Sequence, residues 1–307
     1  MEKVIVVIGP TSVGKTKMGV ALAKKFNGEV ISGDSMQIYK QMDIGTAKVT
    51  EEEKEGIIHH CVDILNSDET YSVHDFQQTV RKKITEITQR GHVPIIVGGT
   101  GLYIKAALYD YQFDEMENDH HAINEKYKDY TNEQLHDHLK SIDEESAKIL
   151  HFNNRRRVLR AIEIYETTGK RKSEMLEEQE HICLYDAYFV GLTLPRDVLY
   201  ERINKRVDVM MENGLKEEMD CLYSQGLTRN HQSMKAIGYK EWFDYYDHQI
   251  DLNDVLELIK KHSRQYAKRQ YTWFKNQFDV HWYDVNLENF EQTIEQVTDD
   301  IEKILKV

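Results

Sequence analysis

Apolar runs rich in valine and isoleucine recur along the chain as VIVVIG (4–9), EVISGD (29–34), VPIIVGG (93–99) and YFVGLTL (188–194), with helical periodicity between the first of them. Continuous apolar strands that alternate with helices specify a parallel sheet covered on both faces. The expected fold class is therefore α/β, a parallel sheet flanked by helices. From 112 to 180 the strand signal stops and the text becomes charged, histidine-rich and helical in period. There Thr131 and Gln134 have the spacing of a capping box. Val158, Ile162 and Tyr165 repeat at helical spacing before Gly169, which suits a left-handed helix end. The spacing predicts an all-helical insertion over 112–180 within a core made of 1–111 and 181–307. Near the end of the chain, Phe290, Ile294, Val297, Ile301 and Ile304 form one apolar stripe, read as core packing.

Composition narrows the setting. A chain of 307 residues with 40% hydrophobic content can bury a sizeable core. No stretch approaches the roughly 18 apolar residues of a membrane span, and the first apolar run is too short for a signal segment. Cys61, Cys183 and Cys221 lack paired spacing, so they are expected to be reduced and structural, and the cytoplasm is the expected compartment. The histidine pairs His59/His60, His120/His121 and His136/His138 do not share helix faces, and no zinc site is expected. A net charge of −13 speaks against a nucleic-acid partner on average, but the acid is concentrated in 51–55, 174–180 and the last twenty residues. Basic residues cluster elsewhere: Arg155, Arg156, Arg157 and Arg160 in the insertion, and Lys260, Lys261, Arg264, Lys268 and Lys275 along one helical stripe. That stripe is either a solvated face or a track for phosphates.

Candidate chemistry begins at GPTSVGKT, formed by Gly9, Pro10, Thr11, Ser12, Val13, Gly14, Lys15 and Thr16, directly after a strand and before a helical pattern. This is the context that a P-loop requires, so the α/β core is expected to be a P-loop NTPase-like parallel sheet flanked by helices. Its backbone N–H groups would cradle an anion, Lys15 would neutralise a terminal phosphate, and the Thr16 hydroxyl would coordinate Mg²⁺. A nucleotide hydrolase also needs a metal-holding acid at a strand end, yet VPIIVGG ends in glycines. An acid does follow the second strand, where Asp34 and Ser35 sit at the carboxyl edge of the sheet. Asp34 can serve as a general base for an acceptor, or simply cap the turn that follows.

In order along the chain, GPTSVGKT (9–16), SGDSMQIY (32–39), MDIGTAK (42–48), HHCVDI (59–64), YSVHDF (71–76), VGGTGLY (97–103), RRVLRAIEIY (156–165), KAIGYKE (235–241) and AKRQYTWF (267–274) resemble the motifs of the tRNA dimethylallyltransferases, also called tRNA isopentenyltransferases. Lacking the zinc-finger extension of eukaryotic members, the chain resembles the bacterial type. The resemblance implies an enzyme that joins the dimethylallyl group of dimethylallyl diphosphate to N6 of the adenosine 3′ of the anticodon, in tRNAs reading codons that begin with U. It implies that the P-loop holds the diphosphate leaving group, which accounts for the missing acid, since no water has to be activated. Asp34, Ser35, Met36, Gln37, Thr100, Arg156, Arg157, Arg160, Lys235 and Lys240 fall where the family contacts tRNA, and Asp34, Thr100 and Arg206 where it does its chemistry. The chain departs from the family at Gly101, where bulkier residues also occur, with loop flexibility as the expected consequence. The implied partners are tRNA and dimethylallyl diphosphate, with Mg²⁺ as cofactor, no membrane, and a monomer.

Arg206 can also be reached from spacing, because it interrupts the apolar stripe Leu199, Ile203, Val207 and Met210. A buried-face arginine needs an anion, either a bound diphosphate or a structural carboxylate. Two other classes share some of these features: a small-molecule kinase with ATP in the P-loop, and a nucleotide-dependent RNA-binding module without chemistry. The first leaves the arginine-rich insertion unexplained, and the second leaves Asp34 idle.

Overall fold

The computed structural model describes residues 1–111, 120–177 and 181–305. The first residues of the expected insertion, the end of the acidic run 174–180 and the side chains of His120 and His121 lie outside the described residues. In chain order the first elements are β1 (Lys3–Ile8), α1 (Lys15–Lys25), β2 (Gly28–Ser32), α2 (Glu51–Lys54), β3 (His59–His60), α3 (Val73–Gln89), β4 (Val93–Val97) and α4 (Gly101–Leu108). Five helices follow: α5 (His120–Lys126), α6 (Asn132–Ile142), α7 (Glu144–Ile149), α8 (Arg155–Thr168) and α9 (Lys172–Glu177). The chain then runs through β5 (Asp186–Thr193), α10 (Arg196–Glu212), α11 (Leu215–Ser224), α12 (Trp242–Tyr246), α13 (Leu252–Gln277), β6 (His281–Asp284) and α14 (Phe290–Leu305).

These elements form two compact units, Met1–Tyr109 with Cys183–Val307, and Asp110–Ile182. The first holds a six-stranded sheet in the order β3-β2-β4-β1-β5-β6, and every pairing in it is parallel. Strand residues alternate between faces, and β1 shows the result. Val4, Val6 and Ile8 join a core with Phe76, Val80 and Ile84 of α3, whereas Ile5 and Val7 join one with Met18 and Leu22 of α1 and Val297 and Ile301 of α14. A sheet dry on both sides explains why its central strands read as unbroken apolar runs.

The edge strands β3 and β6, with sequences HH and HWYD, are not among the apolar runs. Each pairs on one side only, and their polar or half-buried residues give no continuous signal. The closing stripe also needs a correction. Ile304 is 53% exposed, and Leu305, at 4%, completes the buried face with Val297 and Ile301.

The second unit is helical. Leu135, Leu139, Val158, Ala161 and Ile162 form its core. Thr131 and Gln134 make the expected capping box on α6, and Gly169 ends α8 at φ 71°. His136 Nε2 lies 3.0 and 2.9 Å from the carbonyl oxygens of Ala147 and Leu150, and His138 Nε2 lies 3.1 Å from the Tyr127 hydroxyl. Among the described residues no three His, Cys, Asp or Glu side chains are grouped to hold a metal ion, and no helix is long and apolar enough to cross a membrane.

His60 belongs to a polar knot on β2. Glu29, 2% exposed, takes two hydrogen bonds from Arg90, at 3.0 and 2.7 Å, and lies 2.6 Å from His60 and 2.7 Å from His92. Burial alone would raise its pKa, but hydrogen bonds from Arg90, His60 and His92 hold it at about 2. A carboxyl depressed in the folded state contributes stability that is full above its unfolded value and disappears as pH falls toward the folded one. Denaturant unfolding at stepped pH should therefore show a stability loss between about pH 4.5 and about 2 that is smaller in Glu29→Gln, which should also be the less stable protein at pH 7.

Candidate active site

Between β1 and α1 the chain turns through Gly9 at φ 145°, Ser12 at 66° and Gly14 at 105°. A Cβ on Gly9 would lie 2.5 Å from the Leu192 carbonyl oxygen, and one on Gly14 2.7 Å from the Phe290 ring. Both glycines are thus required by close neighbours as well as by backbone angle. Gly14 has no side chain to cap α1, so the first N–H groups of that helix remain available to an anion. Lys15 Nζ donates to the Pro10 carbonyl at 2.8 Å. Burial, and then the Arg206 charge, push its pKa down to about 7, against the pull of Asp34. Thr16 occupies the next position of α1, partly exposed.

Asp34 lies just past the end of β2. Its Oδ1 accepts the Met36 N–H at 2.8 Å, so the aspartate closes the turn and is also held rigidly by it. Burial raises its pKa, opposed by the Met36 N–H and by Lys15. Thr100, at the start of α4, makes no side-chain cap there. Its Oγ1 instead accepts the Ser35 N–H at 3.2 Å and donates to Ser35 Oγ at 3.3 Å. Gln37 is spent within the protein: Oε1 accepts from Ser32 Oγ at 3.0 Å, and Nε2 donates to the carbonyls of Thr46 and Ala47.

A cavity of about 350 Å³ opens beside the loop and Asp34, while Lys15, Thr16, Gln37 and Thr100 stand behind its lining. Thr11, Ser12, Asp34 and Arg206 line it together with Ile203, Val207 and Met210 from α10 and Ile259 from α13. Arg206 Nη1 reaches Thr11 Oγ1 at 3.3 Å and Ser12 Oγ at 3.5 Å, so the arginine inside the apolar stripe points at the phosphate loop and not at a carboxylate. Lys235 and Lys240 are exposed and also line the cavity.

Several contributors carry no local sequence signal. Arg202, one turn before Arg206, donates from Nε to the Ser12 carbonyl at 3.0 Å. Glu218 on α11 accepts the N–H groups of Asp43, Ile44 and Gly45 at 2.8, 2.7 and 3.1 Å and the Tyr239 hydroxyl at 2.7 Å. It thereby fixes two loops of the cavity wall at once. The Tyr239 ring lies 2.6 Å from where a Cβ on Gly45 would sit. Tyr266 lines the cavity, and burial followed by the Asp34 charge pushes its phenol up to about 12.

The basic residues divide. Lys260 is tied to Asp208 at 2.8 Å and Glu257 at 3.3 Å, and Arg264 is bonded to Asn204, leaving Lys261, Lys268 and Lys275 as the exposed part of the α13 stripe. In the helical unit, Arg155 donates to the carbonyls of Tyr127 and Tyr130, both at 2.6 Å, and Arg160 pairs with Glu163 at 2.8 Å. Arg156 and Arg157 are exposed. Gly101 is not a flexible substitute, because a Cβ there would meet the Trp273 ring at 2.2 Å.

Residues 37–277 match the family model described as IPP transferase. A tRNA dimethylallyltransferase of Bacillus cereus (strain AH187) is 54% identical over 287 residues, covering 92% of this chain and 90% of that protein. The crystal structure of a tRNA delta(2)-isopentenylpyrophosphate transferase from Staphylococcus epidermidis is similar at 47% identity and a TM-score of 0.74, covering 99% of each chain. A eukaryotic dimethylallyltransferase acting on tRNA is similar at 33% identity and a TM-score of 0.86, covering 99% of this chain and 79% of its own.

With an anion in the loop, Lys15 would make its binding pH-dependent. An anion in the loop favours the ammonium and raises a pKa that starts at about 7. Calorimetry with inorganic diphosphate in buffers of different ionisation enthalpy should show proton uptake at pH 8. Affinity should weaken as pH rises above 7, and Lys15→Met should abolish that uptake.

Proposed function

The chain belongs to the IPP transferase family, and from that we propose that the cavity is where dimethylallyl diphosphate meets the adenine it modifies. The activity is dimethylallyl transfer to tRNA. The acceptor in this reading is N6 of the adenosine 3′ of the anticodon in tRNAs that read codons beginning with U, and the products are N6-dimethylallyladenosine and diphosphate. One observation carries it: a phosphate loop, a half-buried carboxylate and an arginine face a single cavity whose remaining wall includes Ile203, Val207, Met210 and Ile259. An allylic carbon that develops positive charge needs such a wall, because water would trap it.

N6 attacks C1 of the prenyl group, the C1–O bond breaks, and the electron pair leaves with the diphosphate. Lys15, Arg206 and the loop N–H groups take up the charge that develops there. Asp34 accepts the N6 proton, and its raised pKa suits it to that role. Thr100 positions the Ser35 N–H beside it. The adenine must leave its stack to reach Asp34. Thr16, whose partly exposed hydroxyl follows Lys15 at the start of α1, would help hold Mg²⁺. The metal would neutralise the leaving group.

Ser35, Met36, Lys235 and Lys240 would meet the RNA at the cavity, and Arg156 and Arg157 would meet its phosphates. Gln37 and Arg160, being engaged within the protein, would act on RNA through the loop and helix they stabilise. The protein would work as a monomer in the cytoplasm.

With anticodon stem-loop RNA, Mg²⁺ and dimethylallyl diphosphate, mass spectrometry should detect one dimethylallyl group per RNA. Phosphoryl transfer from ATP in its place would overturn the reading. Asp34→Asn should lower kcat by roughly 10²–10⁴-fold with RNA affinity nearly unchanged. An acid whose pKa is raised on folding costs stability once ionised, so the same substitution should raise the thermal midpoint at pH 8.

A further inference from the structure

One face of α13 lies on the turn that follows β4. Gln270, 5% exposed, accepts the Thr11 N–H through Oε1 at 3.0 Å and donates through Nε2 to the Gly99 carbonyl at 2.9 Å. A Cβ on Gly99 would sit 2.2 Å from that Nε2. Tyr266, one turn earlier, donates its hydroxyl to the same carbonyl at 3.3 Å. The partners dictate the amide's orientation, since an N–H must face an acceptor and a carbonyl a donor.

The two ends of this amide belong to different halves of the site. Thr11 is part of the phosphate loop, where its hydroxyl receives Arg206. Gly99 precedes Thr100, whose Oγ1 holds the Ser35 N–H beside Asp34. An unbroken run of hydrogen bonds and peptide units therefore leads from the anion-binding loop through Gln270 to the carboxylate. A side chain without both a donor and an acceptor at that length would leave the Thr11 N–H without this partner and the Gly99 carbonyl with the longer Tyr266 hydrogen bond in place of the Gln270 one.

We propose that Gln270 is a positioning residue that couples occupancy of the phosphate loop to the placement of Asp34. The coupling rests on the prenyl-transfer reading only for its consequence in catalysis. The mechanical link itself needs nothing more than an anion in the loop, because any shift of the Thr11 peptide passes through one amide to Gly99 and Thr100.

Hydrogen exchange with and without inorganic diphosphate tests the link independently of turnover. In the wild type, diphosphate should slow exchange in peptides covering both 9–16 and 32–40. In Gln270→Met, which keeps the length and loses both hydrogen bonds, only 9–16 should respond. Equal protection of 32–40 in the two proteins, or none in the wild type, would overturn the coupling.

Turnover provides the second arm. Gln270→Met should raise the KM for dimethylallyl diphosphate and lower kcat, each by about tenfold. A change in KM alone would reduce Gln270 to a prop for the phosphate loop and overturn the coupling. If Gln270→Met does not fold, Gln270→Glu keeps the acceptor for Thr11 and loses the donor to Gly99 while ionised. Its kcat relative to wild type should then rise as pH is lowered and the carboxyl gains a proton, and a pH-independent ratio would count against the proposal. An inactive wild type would instead refute the prenyl-transfer reading and leave the exchange result to decide the coupling.

Discussion

Charge held away from water is the constraint on which the rest of the site depends. Asp34 and Arg206 line one cavity and Lys15 lies on the loop beside it, all three half-buried, and burial is the leading cause of the shift in each of their pKa values. In the proposed reaction the two basic side chains and one carboxylate would give a positive excess, complete once Lys15 is protonated, for an arriving diphosphate to satisfy. The groups cannot relax apart, because each is fixed from behind: Lys15 by the Pro10 carbonyl, Asp34 by the Met36 N–H, and Arg206 by its place on α10. The site is therefore organised for a charge that the protein itself does not contain, which is how electrostatic preorganisation lowers a barrier.

The surrounding framework maintains that arrangement through close approach. α13 occupies the space that side chains on Gly99 and Gly101 would fill, and Phe290 of α14 does the same for Gly14. Glycines in a phosphate loop are usually assigned to backbone freedom alone. Here they also record where a neighbouring element must sit, and this joins sheet, loop and helix into one rigid seat for the cavity.

What the sequence made legible follows from the range of the forces involved. Central strands were visible because both their faces are dry, whereas β3 and β6 were not, because edge strands need little apolar content. The phosphate loop and Asp34 were visible because local geometry demands their residue types. Arg206 was visible because it violates an apolar stripe. The roles of Gln270 and Glu218 gave no such sign: Gln270 lies within the motif at 267–274 and on the buried face of α13, but its partner is 259 residues away and those of Glu218 about 175, beyond the reach of any local pattern. The basic stripe was legible as spacing but not as availability, since Asp208, Glu257 and Asn204 consume part of it from positions that helical periodicity does not reveal.

The junction between the two units bears on how the chain folds. Tyr109 bridges Cys183, and Asp110 and Ile182 exchange hydrogen bonds of 3.0 Å, so the helical segment leaves and re-enters at neighbouring points. β1 must find β5 across roughly 180 residues, and closing this junction first shortens that search to about 105, a saving of only about 0.5 kcal/mol in closure entropy. The larger effect is on order of events: once the junction closes, a distant parallel pairing behaves as a nearer one, and folding rates depend on that separation more than stability does.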